Sequence, residues 1–565
     1  MNRRFLGFGK RVRAFICLLA VLVSTALVSS HVYAAGTGAV PFSGENPASG
    51  TRTVTISNIT DFHGHIERGV DNAYAFELAD SHNSGNVIPV STGDFVGGSP
   101  YDSAVLKDQP ALDMAKAWGL TISAVGNHEF DRGVDDFNDR IADPNNGIDW
   151  LCANVSDKNK ASDGRLSHVK DYVIRTVNGK RIGFIGALTD QLASVATPQI
   201  TQDVELTKHG VDAINAVARG LRATGQVDAV VALFHSDASH AVGVGDDVDL
   251  IYAGHSHAVK RLVSEGGAPI IEAGSFGNAM AVQDLVIAGS GRQAKVTVKD
   301  VDLGNGTQPT QCDGVLKVSG ITAHPKQAAW LSAGERDNDG IAVSERVYER
   351  AVSYASRVGS VAVGSLKQDE HYDKRTSSDG KESLGVLVAD ANREMMLHRK
   401  YTNSRLPVVG FSNDGSLRTD TLDADGDRIV TAREVGSLMA LQFDFAYETV
   451  TGAQFKTILG QQFRRDNDGR LQRSLLSVSS NVAYRYMDCD ASKGDCSDMN
   501  LKTQVAITGL RVDDKPISDN ERLIVASNTY LLQGGGGCTG FKKGANYTDL
   551  GIGYAQPLQD YFKNR

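Results

Sequence analysis

Between residues 54 and 271, short runs of apolar and β-branched residues alternate with amphipathic stretches. The runs lie at 54–59, 87–91, 121–125, 182–185, 227–234, 250–252 and 269–271. Continuous apolar runs this short, separated by segments of helical periodicity, predict buried strands in a layered α/β domain. Polar residues follow the runs at once. That placement predicts that they gather at strand ends, where open α/β sheets collect ligands.

The pattern weakens from about residue 300 to 340, where Gly, Asn, Asp and Ser are common, and then apolar residues return at helical spacing over 342–358. This reads as a linker and a connecting helix, together 306–360, between a first domain at 52–305 and a second at 361–565. In the second, helices are predicted at 385–398 and 452–464, with strands near 408–412, 475–478 and 523–527. A mixed α+β domain is therefore expected after the α/β one. At 565 residues the chain is long enough for two cores, and no internal repeat is found.

The N-terminus changes the expected location. Arg3, Arg4, Lys10, Arg11 and Arg13 precede an apolar run at 14–28, and Val32, Tyr33 and Ala34 offer a small-residue cleavage site. Residues 1–34 read as an export signal and 35–51 as a flexible lead, which predicts a periplasmic or secreted protein. An uncleaved anchor is the competing reading, although the run falls short of the roughly 20 residues that a span needs. No membrane span is expected after cleavage. A net charge of −9 argues against a nucleic-acid polymer as partner. Any small phosphorylated ligand would need local positive charge.

Five blocks supply candidate chemistry: Asp61 with His63, Asp94 after Gly93, the stretch GNHEFDRG at 126–133, His235, and His255 with His257 after Gly254. The Asp-x-His and His-x-His spacings let alternate residues point into one cavity at a strand end. Mixed nitrogen and oxygen donors suit zinc, manganese, iron or cobalt. The ordered set resembles the signature of the calcineurin-like metallophosphoesterases. With the C-terminal half, it is similar to the bacterial 5′-nucleotidases, a resemblance that covers nearly all of the chain after residue 34.

That resemblance implies a metallophosphoesterase sandwich followed by a substrate-binding domain. It implies one metal on Asp61, His63, Asp94 and His257, and a second on Asp94, Asn127, His235 and His255. Two such ions would activate a bridging hydroxide for in-line attack on a phosphate ester. His128 would contact the phosphate and stabilise the transition state, with Asp131 orienting its ring; a helix N-cap is the other reading of Asp131. The substrate implied is a small-molecule nucleotide 5′-phosphate, with nucleotide diphosphates, UDP-sugars and 2′,3′-cyclic nucleotides as further candidates. A non-nucleotide phosphoester and a non-catalytic binding protein are the alternatives.

In the second half, Asn413, Gly415 and Arg418 resemble the family's Asn-x-Gly-x-x-Arg segment, whose arginine grips phosphate. Phe443 and Tyr530 stand where the family places two rings around a nucleobase. Two departures bear on specificity. Gly536 replaces the aspartate that usually contacts the ribose, and the segment before Leu384 offers only Arg375 or Lys381 where a phosphate-binding arginine is usual.

Asp423, Asp425, Asp427 and Glu434 occupy positions 1, 3, 5 and 12 of an EF-hand-like loop, but Arg428 stands where glycine is expected. Calcium and a solvated acidic turn are both open readings; Asp466 with Asp468 reads as a plain turn. An exported chain can keep disulfides, and Cys489 with Cys496, which bracket a polar stretch, is the favoured pair. Cys152, Cys312 and Cys538 have no assigned pairing. None lies beside the His and Asp blocks, which argues against a cysteine nucleophile.

Overall fold

The computed structural model describes residues 50–158, 166–196, 198–304, 308–318, 339–374, 383–399, 405–441, 443–465, 471–473, 476–488 and 505–565. The export signal, most of the lead, Arg375, Lys381, the turn at 466–469 and the Cys489–Cys496 pair lie outside the described residues.

The apolar runs of the first half form two facing sheets. One runs Gln308–Pro309, Val315–Lys317, Ala279–Ala288, Arg52–Ile59, Val87–Ser91, Ile122–Ala124, Asp149–Leu151 and Val169–Lys170, with Lys295–Asp300 also on Ala279–Ala288. The other runs Val259–Val263, Pro269–Ala273, Leu250–Ala253, Ala229–His235, Lys180–Leu188 and Tyr172–Val177. Alternation decides which face each residue covers. Val54, Ile56, Val90 and Ile122 of the first sheet pack against Phe184, Val231, Leu233 and Tyr252 of the second. Ile59 and Trp150 instead meet helices Gly69–His82 and Gln109–Ala117 on the far side, and Gly210–Thr224 covers the second sheet. Each fully buried Val, Ile or Phe contributes roughly 1.5–3 kcal/mol.

The four layers matter because of strand direction. Arg52–Ile59, Val87–Ser91 and Ile122–Ala124 pair in parallel, as do Lys180–Leu188, Ala229–His235 and Leu250–Ala253. The loops that follow Arg52–Ile59, Val87–Ser91, Ile122–Ala124, Ala229–His235 and Leu250–Ala253 carry the five polar blocks, so the blocks share one edge of the sandwich.

Residues 308–318, which the sequence pattern places in the linker, add edge strands to the first sheet. Helix Gly340–Gly359 then packs on the outer helices, where the Trp118 indole N–H donates to Ser344 Oγ at 2.9 Å. In the second half a five-stranded sheet runs Leu476–Val478, Val408–Asn413, Arg522–Asn528, Asp444–Thr451 and Ala545–Gly553. Helices Ser383–Arg399 and Gly452–Gln461 cover its two faces. The second helix stops before the predicted 464, and Phe463–Arg465 pairs antiparallel with Leu471–Arg473. Phe463 shares a core with Phe455 and Leu459, so its apolar character continues the helical spacing although its backbone has turned to a strand.

Candidate metal centre

Five of the predicted ligands sit in left-handed backbone: Asp61 at φ 50°, His63 at 47°, Asp94 at 48°, His255 at 72° and His257 at 60°. Non-glycine residues rarely adopt this conformation, and it persists where the surroundings over-determine it. The turns bring the side chains together. Asp61, His63 and His257 form one set of converging donors, and Asp94, His235 and His255 a second. His63 Nε2 lies 3.8 Å from Asp94 Oδ2, so Asp94 stands between the two sets. Asn127 Oδ1 reaches His235 Nε2 at 3.3 Å.

Hydrogen bonds behind the ligands fix which nitrogen faces inward. His63 Nδ1 donates to Gly97 O at 2.7 Å and His235 Nδ1 to Thr92 O at 2.8 Å, which leaves both Nε2 atoms aimed at the centre. His63 Nε2 and His257 Nε2 then face each other at 3.1 Å. Nitrogens bound to one ion at about 2.0–2.1 Å stand roughly 3.0–3.4 Å apart, so this spacing fits a shared divalent ion.

Electrostatics fit the same reading at three of the four histidines; at His235 burial opposes a proton but Asp94 outweighs it and raises the ring to about 10, so a metal there would displace a proton. Burial holds the imidazoles of His63, His255 and His257 low, the last two at about 4, so each offers a lone pair. Burial pushes Asp61 up to about 7. Burial would also raise Asp94, but His235 and His128 outweigh it and hold the carboxyl well below its usual range. The same carboxylate oxygen, Oδ2, lies 3.0 Å from His235 Nε2 and 3.8 Å from His63 Nε2, the position of a ligand shared by both sets.

His128 begins a single turn at His128–Phe130, and its backbone N–H donates to Asp94 Oδ1 at 2.8 Å. Its Nδ1 donates to Asp131 Oδ2 at 2.9 Å. Burial opposes a proton on His128, yet the charges of Asp131 and Asp94 outweigh burial and raise it to about 9. The ring is therefore a cation at neutral pH, with Nε2–H free of Asp131.

The second half faces this centre. Asn413 closes strand Val408–Asn413, Gly415 lies in the turn Asp414–Ser416, and the exposed Arg418 follows. The Arg418 charge acts on both His128 and His257. Phe443 and Tyr530 stack, with centroids 5.3 Å apart and planes 7° from parallel. At Gly536, φ is 60° and a Cβ would meet open space; its N–H donates to Tyr530 Oη at 2.9 Å.

Residues 54–259 match the calcineurin-like phosphoesterase family, and residues 358–543 match the 5′-nucleotidase C-terminal domain. The chain belongs to the 5′-nucleotidase family. Among relatives of this family member, the cell wall protein Lmo0130 of Listeria monocytogenes is 24% identical over 89% of this chain and 66% of its own length. Endonuclease YhcR of Bacillus subtilis is 27% identical over 60% of this chain and 28% of its own. The chain spans less than two thirds of the length of either relative. A solved 5′-nucleotidase precursor from Thermus thermophilus has the same fold, with a TM-score of 0.61 at 16% identity over 91% of this chain and 96% of that one.

The remaining candidates separate. Asp423, Asp425 and Glu434 come together, whereas Asp427 turns to accept from Ile429 N at 2.7 Å. Glu434 is already engaged in a capping box with Thr431. Cys152 and Cys312 are free thiols, and burial pushes Cys152 up to about 12, too high for a nucleophile. No helix among the described residues is long and apolar enough to cross a membrane.

Sequence reasoning missed three supports. Glu129 is buried and accepts from Asp94 N, Phe95 N, Val96 N and Gly126 N at 2.6–3.3 Å, which ties two ligand loops together. Glu272 does the same elsewhere. Phe276, at φ 61°, lays its ring 4.9 Å from His257 and 5.7 Å from His63. Only the position of Glu129 within the GNHE block could have signalled a role.

Proposed function

We propose that this chain is an exported phosphohydrolase that cleaves nucleotide 5′-phosphate esters at a two-metal centre. Asp61, His63, Asp94 and His257 would hold one ion, and Asp94, Asn127, His235 and His255 the other. One observation carries the reading: two donor sets meet at Asp94 beside a protonated His128, under the charge of Arg418 from the second half. Bound divalent ions supply an activated water and positive charge for phosphoryl oxygens. The protein's own groups do the rest. His128 Nε2–H donates to a phosphoryl oxygen, Asp131 keeps that proton in place, and Arg418 adds a second cationic grip on the phosphate.

The aromatic pair and Asn413 support a nucleoside as the other end of the substrate. Phe443 and Tyr530 offer a stacking surface that tolerates any base. A non-nucleotide phosphoester is the second reading, favoured by the carboxylate-free turn at Gly536. In the 423–434 loop, commitment of Glu434 to its cap supports an acidic turn over a calcium site. The Listeria cell wall relative supports a location outside the cytoplasm.

The test is phosphate release from AMP, UDP-glucose, 2′,3′-cyclic AMP and an aryl phosphate, with and without manganese or zinc, for the wild type and His128→Ala. Metal-dependent preference for a nucleotide, lost in the variant, is the expected result. Hydrolysis of the aryl ester alone would overturn the nucleotide assignment.

A further inference from the structure

Glu272 lies near the end of strand Pro269–Ala273 and is fully buried, and its carboxylate accepts from Ser256, Ala258 and Ala238. The carboxylate thus reaches two ligand loops at once. Oε1 accepts from Ser256 Oγ at 2.5 Å and from Ala258 N at 3.2 Å. Oε2 accepts from Ala238 N at 3.1 Å. Ser256 sits between His255 and His257, and Ala238 lies three residues beyond His235.

These loops need such a brace. His255 and His257 both hold left-handed backbone, at φ 72° and 60°, conformations that cost of order 1–3 kcal/mol each unless the surroundings enforce them. With its hydroxyl tied to Glu272, Ser256 is drawn away from the centre while the residues on either side turn inward. The neighbouring cation does not satisfy Glu272 in place of these bonds, because Lys260 Nζ pairs with Asp237.

The bracing is also unequal between the two donor sets. His63 is held by Gly97 O, and Asp94 by backbone bonds that involve Glu129. Glu272 supports two ligands of the Asp94, His235 and His255 set, through Ala238 beyond His235 and Ser256 beside His255, and one of the Asp61, His63 and His257 set, His257, which Ser256 and Ala258 flank.

We propose that Glu272 is a positioning residue that sets the divalent-metal affinity of the Asp94, His235 and His255 set. The proposal rests on the reading of this site as a metal centre. Glu272→Gln keeps the volume and one acceptor oxygen, but places an amide N–H against a loop donor at the other end, so one brace is broken.

The experiment is titration of metal-stripped full-length protein with Mn2+, followed by calorimetry and by electron paramagnetic resonance of the bound ions. Loss of a partner behind a metal ligand typically costs about 10–100-fold in affinity. The expected result is a fall of that size in one class of site, with the other within about three-fold, and loss of the spin-coupled signal of a metal pair. Ser256→Ala, which removes one of the three bonds and leaves the carboxylate, is expected to weaken the same class by a smaller factor. If Glu272→Gln does not fold, Ser256→Ala decides alone. Wild-type affinity at both classes in either variant that folds overturns the role of Glu272, and absence of Mn2+ binding by the wild type overturns the metal-centre reading itself.

Discussion

His63 Nε2 and His257 Nε2 face each other at 3.1 Å although they come from opposite sheets and lie 194 residues apart in sequence. With Nδ1 of His63 donating to Gly97 O, its Nε2 carries a lone pair, and the contact is best satisfied by a cation between the rings. Metal binding should therefore stabilise the fold. An ion present at 100 times its Kd adds about 2.7 kcal/mol. Stripping with a chelator is expected to lower Tm by several degrees and abolish phosphate release, and added Mn2+ or Zn2+ to restore both. His257→Ala should lose most of the metal-dependent Tm shift, as measured by scanning calorimetry.

His128 and Asp131 separate catalysis from metal uptake. His128 is positioned by its backbone on Asp94 and by its ring on Asp131, and its side chain is not needed for the two donor sets built on Asp61, His63 and His257 and on Asp94, His235 and His255. Removing a positioned proton donor typically costs about 10²–10⁴-fold in rate. His128→Ala should lose kcat on that scale with wild-type metal content by elemental analysis. Asp131→Asn leaves the ring in place and should cost less, with the alkaline side of the pH–rate profile moved to lower pH, because His128 loses its proton sooner without the Asp131 charge.

The ligand set was legible in the sequence because each ligand follows an apolar run, and parallel pairing carries those loops to one edge. Asp61, Asp94, Asn127, His235 and His255 are all read this way. What the pattern could not show is backbone conformation: left-handed φ at five ligands leaves no mark beyond adjoining glycines such as Gly93 and Gly254. Glu272 was hidden altogether, and Glu129 but for its place in the GNHE block, since a buried carboxylate that accepts backbone N–H groups looks like any other acidic residue until the loops around it are placed. The end of helix Gly452–Gln461 was misplaced because Phe463 is buried by tertiary packing.

Arg433 of helix Ala432–Leu438 spans the two halves. Its guanidinium pairs with Asp102 and lies 5.2 Å from the centre of the Tyr101 ring, while a Cβ at Gly436 would come within 2.6 Å of that ring. The pair is partly exposed and contributes at most about 1 kcal/mol, so Arg433→Ala should remain folded. Its effect belongs on substrate binding, because the charge of Arg418, from the same half as Arg433, acts on His128 and His257. KM is expected to rise several-fold with kcat within about two-fold, and Asp102→Ala combined with Arg433→Ala should cost no more than either alone. Independent losses that add in the double variant would argue against a shared contact.

The start of helix Gly340–Gly359 carries a pH dependence of its own. Asp339 caps the helix by accepting from Ile341 N at 2.9 Å, and the side chain of Glu77 of helix Gly69–His82 is hydrogen-bonded to it. Burial, then the charge and hydrogen bond of Asp339, then Asp80, raise Glu77 to about 8. Because the folded value lies above that of the unfolded chain, the folded state holds a proton that the unfolded state releases near pH 4.5. The stabilisation is fully present below that pH and is lost as pH rises through about 8, where Glu77 ionises against Asp339. Glu77→Gln keeps a donor toward Asp339 without the charge. Between pH 5 and 9 the Tm of the wild type should fall relative to that of Glu77→Gln, and parallel curves for the two proteins would show that the Glu77–Asp339 pair does not hold this proton.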